Sequence, residues 1–487
     1  MRLPRVAIVA FVMVALFCLP SLLYTGSYIV SDMPVPMEGV EPSPYPDEPL
    51  TEGFLFLVLD GGRKDMMSDP NLMPNLNRRV ADGAYLEVRT NPLTMTAMCV
   101  KEMATGVPSR PNEALQNFRP QHPGSMDGFN LASTFDGDGN GEPDNHVGVI
   151  GDYVWKHLIF DREKAPFYEA RYGHADYYKG DEEGFEELKR WARGAPPEGH
   201  SIPRNLIVAH LSGLDSVGHR YGALDSQEYE EKLTWIDTNL EEVFQELPDD
   251  WTVVVTSDHG LTDSGQHGSD LDILRDVAAF MWGPNVKEGA VVKGVQQRDL
   301  ATLPSVLFSL PLPHAIHGRI PLDAFDISEA RRQQLDQWNW DAAVARNDWL
   351  IEQGHPHIEG LTTEKIEWER LNVDEIGLRI SDFLLSGLAY LGISGALIYA
   401  LRELKQSKKF IFWSTVSFFA TAAFSMTLSY NRDTLALFYY PVGLWLPVGL
   451  FVGGLLILQY EKWKHYDFSH LQIVALCSVL SATIMFP

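Results

Sequence analysis

The chain has 487 residues and carries Lys+Arg 39 against Asp+Glu 65, a net charge of -26. Such a surface repels a phosphate backbone, so the balance argues against a nucleic-acid partner; it keeps an exposed domain soluble and concentrates divalent cations. Only three cysteines occur, two of them inside apolar segments (Cys18 and Cys477) and the third, Cys99, isolated, which excludes a disulfide framework.

Val6 to Tyr24 is almost wholly apolar behind Arg2 and Arg5, and Thr25-Gly-Ser27 is a poor cleavage site. The stretch is long enough to span a bilayer, so residues 1–25 are predicted to be an uncleaved transmembrane anchor rather than a signal peptide. Residues 26–52 include Pro34, Pro36, Pro42, Pro44, Pro46 and Pro49, the composition of a stiff, extended linker.

From 53 to 325, short apolar runs alternate with helical stretches. Phe54-Leu-Phe-Leu-Val-Leu59 ends at Asp60, and His146-Val-Gly-Val-Ile150 ends near Asp152. Asn205-Leu-Ile-Val-Ala-His-Leu211 runs into Asp215-Ser-Val-Gly-His219, and Trp251-Thr-Val-Val-Val-Thr256 into Ser257-Asp258-His259-Gly260. Continuous runs of this kind read as buried parallel strands. The helix predicted over Gln227 to Leu247 places Tyr229, Leu233, Ile236, Leu240 and Val243 on one face. The alternation predicts an α/β fold, a mostly parallel sheet with helices on both faces.

Residues 326–378 form a helical linker with Trp338, Trp340, Trp349 and Trp368 among charges, read as lying near a membrane surface or packed on the domain. Residues 379–487 hold four further predicted transmembrane helices, near 380–400, 410–429, 435–459 and 471–486. Arg402, Lys405, Lys408 and Lys409 fill the first loop between them, and Lys462 and Lys464 mark the third. The positive-inside rule then puts the amino terminus and these loops in the cytoplasm and residues 25–378 on the extracytoplasmic side.

In an open parallel sheet the ligand crevice lies beyond the carboxyl ends of the strands, so Asp60, Asp215, Asp258, His219, His259 and His267 should converge there. Asp215 and His219 are four apart, on one face of a helical turn. Three carboxylates and three imidazoles exceed the needs of one zinc and suit two divalent ions, zinc or manganese rather than magnesium or calcium. Asn91-Pro-Leu-Thr-Met-Thr-Ala-Met98 precedes a helical stretch ending at Thr105-Gly106. A hydroxyl at that helix start faces the positive end of the dipole, which favours an alkoxide and bound phosphate. Thr94 and Thr96 both qualify, as nucleophile or as N-cap.

Asp60, a threonine ahead of a helix, Asp-x-x-x-His, and Asp-His-Gly followed by Gly-x-His-Gly resemble the alkaline phosphatase superfamily. Within it the chain looks like the GPI ethanolamine phosphate transferases, whose catalytic domain is type I phosphodiesterase/nucleotide pyrophosphatase-like. The shared motifs are the Leu-Thr-Met-Thr segment running through Lys101 to Thr105-Gly106, Asn130-Leu-Ala-Ser133, Gly151-Asp-Tyr-Val-Trp-Lys156 and the span His210 to His219. The resemblance covers about 54 to 318. It implies one metal on Asp215, His219 and His267 and another on Asp60, Thr96, Asp258 and His259. It also implies Thr96 as nucleophile, Lys101 as a partner for phosphate charge, and Thr94 and Asp152 beside the substrate, Asp152 either meeting an ammonium or capping the chain.

Two departures stand out. Only four spans follow the catalytic domain, fewer than in the family's eukaryotic members. Asp136-Gly-Asp-Gly-Asn-Gly-Glu142 resembles the first half of a calcium loop but has Val147 where the closing Glu belongs, so an acidic turn is favoured. The resemblance implies a membrane-bound transferase moving phosphoethanolamine, or a similar headgroup, from a phospholipid donor to a sugar hydroxyl of a glycolipid acceptor. The alternative is a phosphodiesterase using water. A sulfatase is rejected, because Gly106 stands where its Cys or Ser would precede Pro108-Ser109-Arg110.

Overall fold

The computed structural model describes residues 48–109, 129, 136, 147–158, 167–169, 176–194, 206–312, 315–354, 357–364 and 366–368. All belong to one compact unit, Asp32–Glu375. The five predicted spans, residues 26–47 of the linker, Asn130–Ser133 and all of the 136–147 loop except its two ends lie outside the described residues. Among the described residues no helix is long and apolar enough to cross a membrane.

Eight strands form a single sheet: β1 (Gly53–Leu59), β2 (Gly83–Arg89), β3 (Val147–Gly151), β4 (Phe167–Glu169), β5 (Leu206–Leu211), β6 (Trp251–Thr256), β7 (Asp276–Trp282) and β8 (Ala290–Gln296). Their spatial order is β4-β3-β5-β1-β6-β7-β2-β8. β7 pairs antiparallel with both β6 and β2, while every other pairing is parallel. The sheet is therefore mixed, with one strand reversed against an otherwise common direction.

The four strands expected from apolar runs are β1, β3, β5 and β6, and these lie side by side. Every residue of each is buried. That two-sided burial is the reason their sequences are continuous rather than alternating. Phe54, Phe56 and Val58 of β1 face one core, shared with Trp155, Phe129 and helix α1 (Thr96–Thr105). Leu55, Leu57 and Leu59 face the other, shared with helices α3 (Lys179–Ala192) and α5 (Gln227–Glu246). Between them in sequence come α2 (Tyr153–Leu158) and α4 (Gly213–Tyr221).

The five apolar residues expected on one face of α5 are all fully buried. Ser226 caps that helix by accepting the Tyr229 N–H at 3.3 Å. Helix α6 (Glu329–Glu352) starts at a second serine cap, Ser328. It packs on the domain: Leu335 is wholly buried in the main core, and Asn339 bonds both Gly318 and Ile320. Of the two placements expected for the tryptophan-rich segment, packing on the domain is seen for Trp338, buried in the main core, whereas Trp340 is buried in a small cluster with Ala343, Val344 and Leu361 of the segment itself.

Candidate metal centre and nucleophile

β5, β1 and β6 are neighbours running in parallel, so their carboxyl ends open onto one crevice. Asp60 follows β1, Asp258 and His259 follow β6, and α4 begins two residues after β5, carrying Asp215 and His219. Gly61 makes the convergence sterically workable. Its φ is +73°, and a Cβ there would lie 3.0 Å from the Cα, Cβ and Oδ1 of Asp215. The glycine after Asp60 thus makes room for a second carboxylate.

Ligand atoms of Asp60, Asp258 and His259 lie within 4.8 Å of one another, as do those of Asp215, His259 and His267. His219 joins the second group: its Nε2 is 3.3 Å from Asp215 Oδ2 and 3.2 Å from His267 Nε2. The His259 and His267 rings stack with centroids 4.0 Å apart. His259 stands between the two groups, whereas the sequence reading assigned it to the Asp60 group alone.

The imidazoles are oriented by their far nitrogens. His267 Nδ1 faces the Thr94 carbonyl at 2.7 Å and His259 Nδ1 the Gly260 carbonyl at 3.2 Å. A carbonyl only accepts, so each Nδ1 carries the proton and each Nε2 turns a lone pair toward the carboxylates. Asp258 Oδ1 accepts the Gly61 and His259 N–H groups, at 3.1 and 2.9 Å. Its Oδ2, together with Asp215 Oδ1 and His259 Nε2, is buried without a hydrogen bond. Buried lone pairs aimed at one another across 3.3 to 3.8 Å fit divalent cations, which turn mutual repulsion into coordination.

Electrostatics of the protein alone agree. Burial pushes Asp258 up to about 6, and the Asp215 charge adds to that rise. Burial lowers His259 and His267 to about 4, so both are neutral ligands at pH 7. Burial would also lift Asp215, but the His219 hydrogen bond and the nearby imidazoles hold it well below the usual carboxylate range. His219 moves upward although burial opposes it, because Asp215 holds its proton.

Thr96 is the first residue of α1, half-buried, at a helix start that lacks a side-chain cap. Thr94 is different. Its buried hydroxyl donates to the Ser269 carbonyl and accepts the Gly268 N–H, both at 2.9 Å. Those bonds, with the Thr94 carbonyl on His267, tie the segment before α1 to the loop carrying His267. Burial raises the Cys99 thiol, and the Asp258, Glu102 and Asp60 charges raise it further.

Lys101 is buried five residues beyond Thr96, roughly 140° round the helix at 3.6 residues per turn. It does not share the face of Thr96 as a residue three or four apart would. Asp152 Oδ1 accepts the Val154 N–H at 2.8 Å, at the start of α2. One residue without an assigned role also enters the site: His210, fully buried, with Nε2 3.5 Å from Asp60 Oδ2.

Residues 148–302 match the type I phosphodiesterase / nucleotide pyrophosphatase family. The match takes in Asp152, Asp215, His219, Asp258, His259 and His267, but not Asp60 or Thr96. That stretch is similar to an enzyme domain, the type I phosphodiesterase / nucleotide pyrophosphatase domain. Among curated proteins it is similar to GPI ethanolamine phosphate transferases. The Schizosaccharomyces pombe transferase 1 is 30% identical over 166 residues, 28% of this chain and 18% of that protein. The human transferase 3 catalytic subunit is 26% identical over 191 residues, 38% of this chain and 16% of that protein. The chain thus spans less than a fifth of these relatives' length. Among solved structures, murine ectonucleotide pyrophosphatase / phosphodiesterase 5 aligns with a TM-score of 0.40 at 14% identity, over 54% of this chain and 96% of that one.

Proposed function

We propose that the protein is a membrane-bound, metal-dependent transferase that moves phosphoethanolamine, or a similar phospho-headgroup, from a phospholipid to a sugar hydroxyl of a glycolipid. The observation that carries this reading is the convergence of three carboxylates and three imidazoles, with the segment that leads into the helix starting at Thr96 bonded to His267 through the Thr94 carbonyl. The similarity to GPI ethanolamine phosphate transferases supports the headgroup and the lipid partners. The apolar stretches at 6–24 and beyond 379 support attachment to a membrane with the domain on its extracytoplasmic side.

Asp60, Asp258 and His259 would hold one divalent ion, and Asp215, His219 and His267 the other; zinc suits this donor set best, with manganese second. Bound there, the ions would lower the pKa of a hydroxyl and neutralise charge on the transferring phosphoryl group. Thr96 gives up its hydroxyl proton, its Oγ1 attacks the donor phosphorus, and the bond to the lipid glycerol oxygen breaks, that oxygen taking up one proton to leave as diacylglycerol, so that no net proton is released. The headgroup phosphate is then esterified to Thr96. The acceptor sugar hydroxyl gives up its proton, attacks the same phosphorus and displaces the Thr96 oxygen. The N-terminal dipole of α1 favours the negative charge in both steps.

Labelled donor lipid and glycolipid, followed by mass spectrometry of the protein, test the reading. Label should appear on Thr96 and then in glycolipid, and Thr96→Ala should abolish both. Label recovered only as free headgroup phosphate would establish the hydrolase alternative, in which water replaces the sugar. Full turnover by Thr96→Ala would remove the covalent route altogether.

A further inference from the structure

His210 lies inside the apolar run of β5, opposite Val58 on β1 and Gly151 on β3. Its ring is fully buried and meets two groups of opposite character. Trp155 Nε1 donates to His210 Nδ1 at 3.0 Å, whereas His210 Nε2 is buried without a hydrogen bond and lies 3.5 Å from Asp60 Oδ2, a close electrostatic contact. An indole nitrogen only donates. His210 Nδ1 must therefore accept, which in the neutral ring leaves the proton on Nε2, the atom that faces Asp60.

That tautomer is the reverse of the one deduced for His259 and His267, whose Nδ1 atoms donate to carbonyls and whose Nε2 lone pairs face the carboxylates. An Nε2–H has no lone pair to offer a cation. We propose that His210 is a positioning residue and not a metal ligand: held by Trp155, it presents an N–H to the outer oxygen of Asp60 and aims that carboxylate at the cation site formed with Asp258 and His259. This rests on the metal-dependent reading above.

The local backbone is built for the contact. Gly151, at φ +108°, lets β3 approach so closely that a Cβ would sit 1.9 Å from the His210 carbonyl oxygen. The Asp152 N–H donates to that oxygen at 3.1 Å. Asp152 also caps α2, the helix that carries Trp155. The Gly-Asp-x-x-Trp segment therefore serves as a bracket that delivers an indole N–H to His210.

The test uses the full chain in detergent, loaded with zinc. Histidine-ring nitrogen NMR should find His210 as the Nε2–H tautomer, and Trp155→Phe should make it a mixture. His210→Phe should weaken one of the two zinc sites 10- to 100-fold, the range for removing an outer partner of a metal ligand. His210→Gln, which keeps an N–H near the Nε2 position, should recover most of that loss. Melting temperatures measured in chelator should differ little between His210→Gln and wild type. With cadmium in place of zinc, a cadmium–nitrogen coupling at His210 would make it a ligand and overturn the proposal. So would two unperturbed zinc sites in both His210 variants, or a chain that takes up no metal. Loss of headgroup transfer with these metal and tautomer results intact would instead count against the proposed function alone.

Discussion

Replacing Gly61 by alanine should damage the metal centre far more than it damages the fold. Two costs separate cleanly. A non-glycine residue in the left-handed region costs about 1–2 kcal/mol, and Gly61 sits at φ +73°. The new methyl would also stand 3.0 Å from three atoms of Asp215, Oδ1 included, so the carboxylate must shift by a few tenths of an ångström. Metal–ligand distances tolerate about 0.2 Å, so a ten- to hundred-fold loss of zinc affinity is expected at the Asp215 site. Gly194→Ala supplies the control, because φ there is +77° and nothing lies within 4 Å of the added methyl. Zinc titration against a competing chelator reads the affinity, and thermal unfolding in chelator reads the shared conformational cost. Both variants should melt lower by similar amounts, and only Gly61→Ala should lose zinc. Equal zinc affinity in the two variants would refute the reasoning that Gly61 makes room for Asp215.

Thr94→Val removes a buried hydroxyl that makes two hydrogen bonds, stranding the Gly268 N–H and the Ser269 carbonyl. It should cost about 1–3 kcal/mol in denaturant unfolding and loosen the loop of His267, with zinc affinity falling in parallel. A change under half that size would mean that Thr94 does not hold the loop. Asp299 accepts the Gln296 and Arg319 N–H groups, yet burial outweighs them and lifts it from 3.8 to about 6. Between those values the folded chain holds a proton that the unfolded chain has lost. Its contribution is therefore fully present below about pH 4 and is lost as pH rises through 6, a span of about 3 kcal/mol. Asp299→Asn should flatten that part of the stability curve measured in urea from pH 4 to 7, and an unchanged slope would contradict the assignment.

Much of this molecule is written locally. Strands buried on both faces must be apolar throughout, so β1, β3, β5 and β6 stand out with their boundaries almost intact. The residues that end them are polar because the crevice begins there, and for that reason Asp60, Asp215, Asp258 and His259 could be singled out unaided. Helix α5 is legible from its repeat for the same reason, one face being buried and the other wet. The strands β2, β4, β7 and β8 were not anticipated. β8 lies at the sheet edge with only Val292 and Val295 buried, and β2 breaks register against it between Leu86 and Val88. The reversal of β7 leaves no mark in its composition, since direction is set by pairing.

Chain order alone determined which chemical groups were available: acidic and imidazole side chains at strand ends and a hydroxyl before a helix. Tertiary structure decided their parts. Thr94 bonds Gly268 and Ser269 because the loop of His267 folds onto it. His259 stands between two carboxylate groups because β1 and β6 are neighbours. His210 was one more apolar-run residue until the pairing of β3 with β5 brought an indole to one side of its ring and Asp60 to the other. Hydrogen-bond direction, and with it the tautomer of an imidazole, depends on partners far away in sequence, and only the folded chain brings those partners into contact.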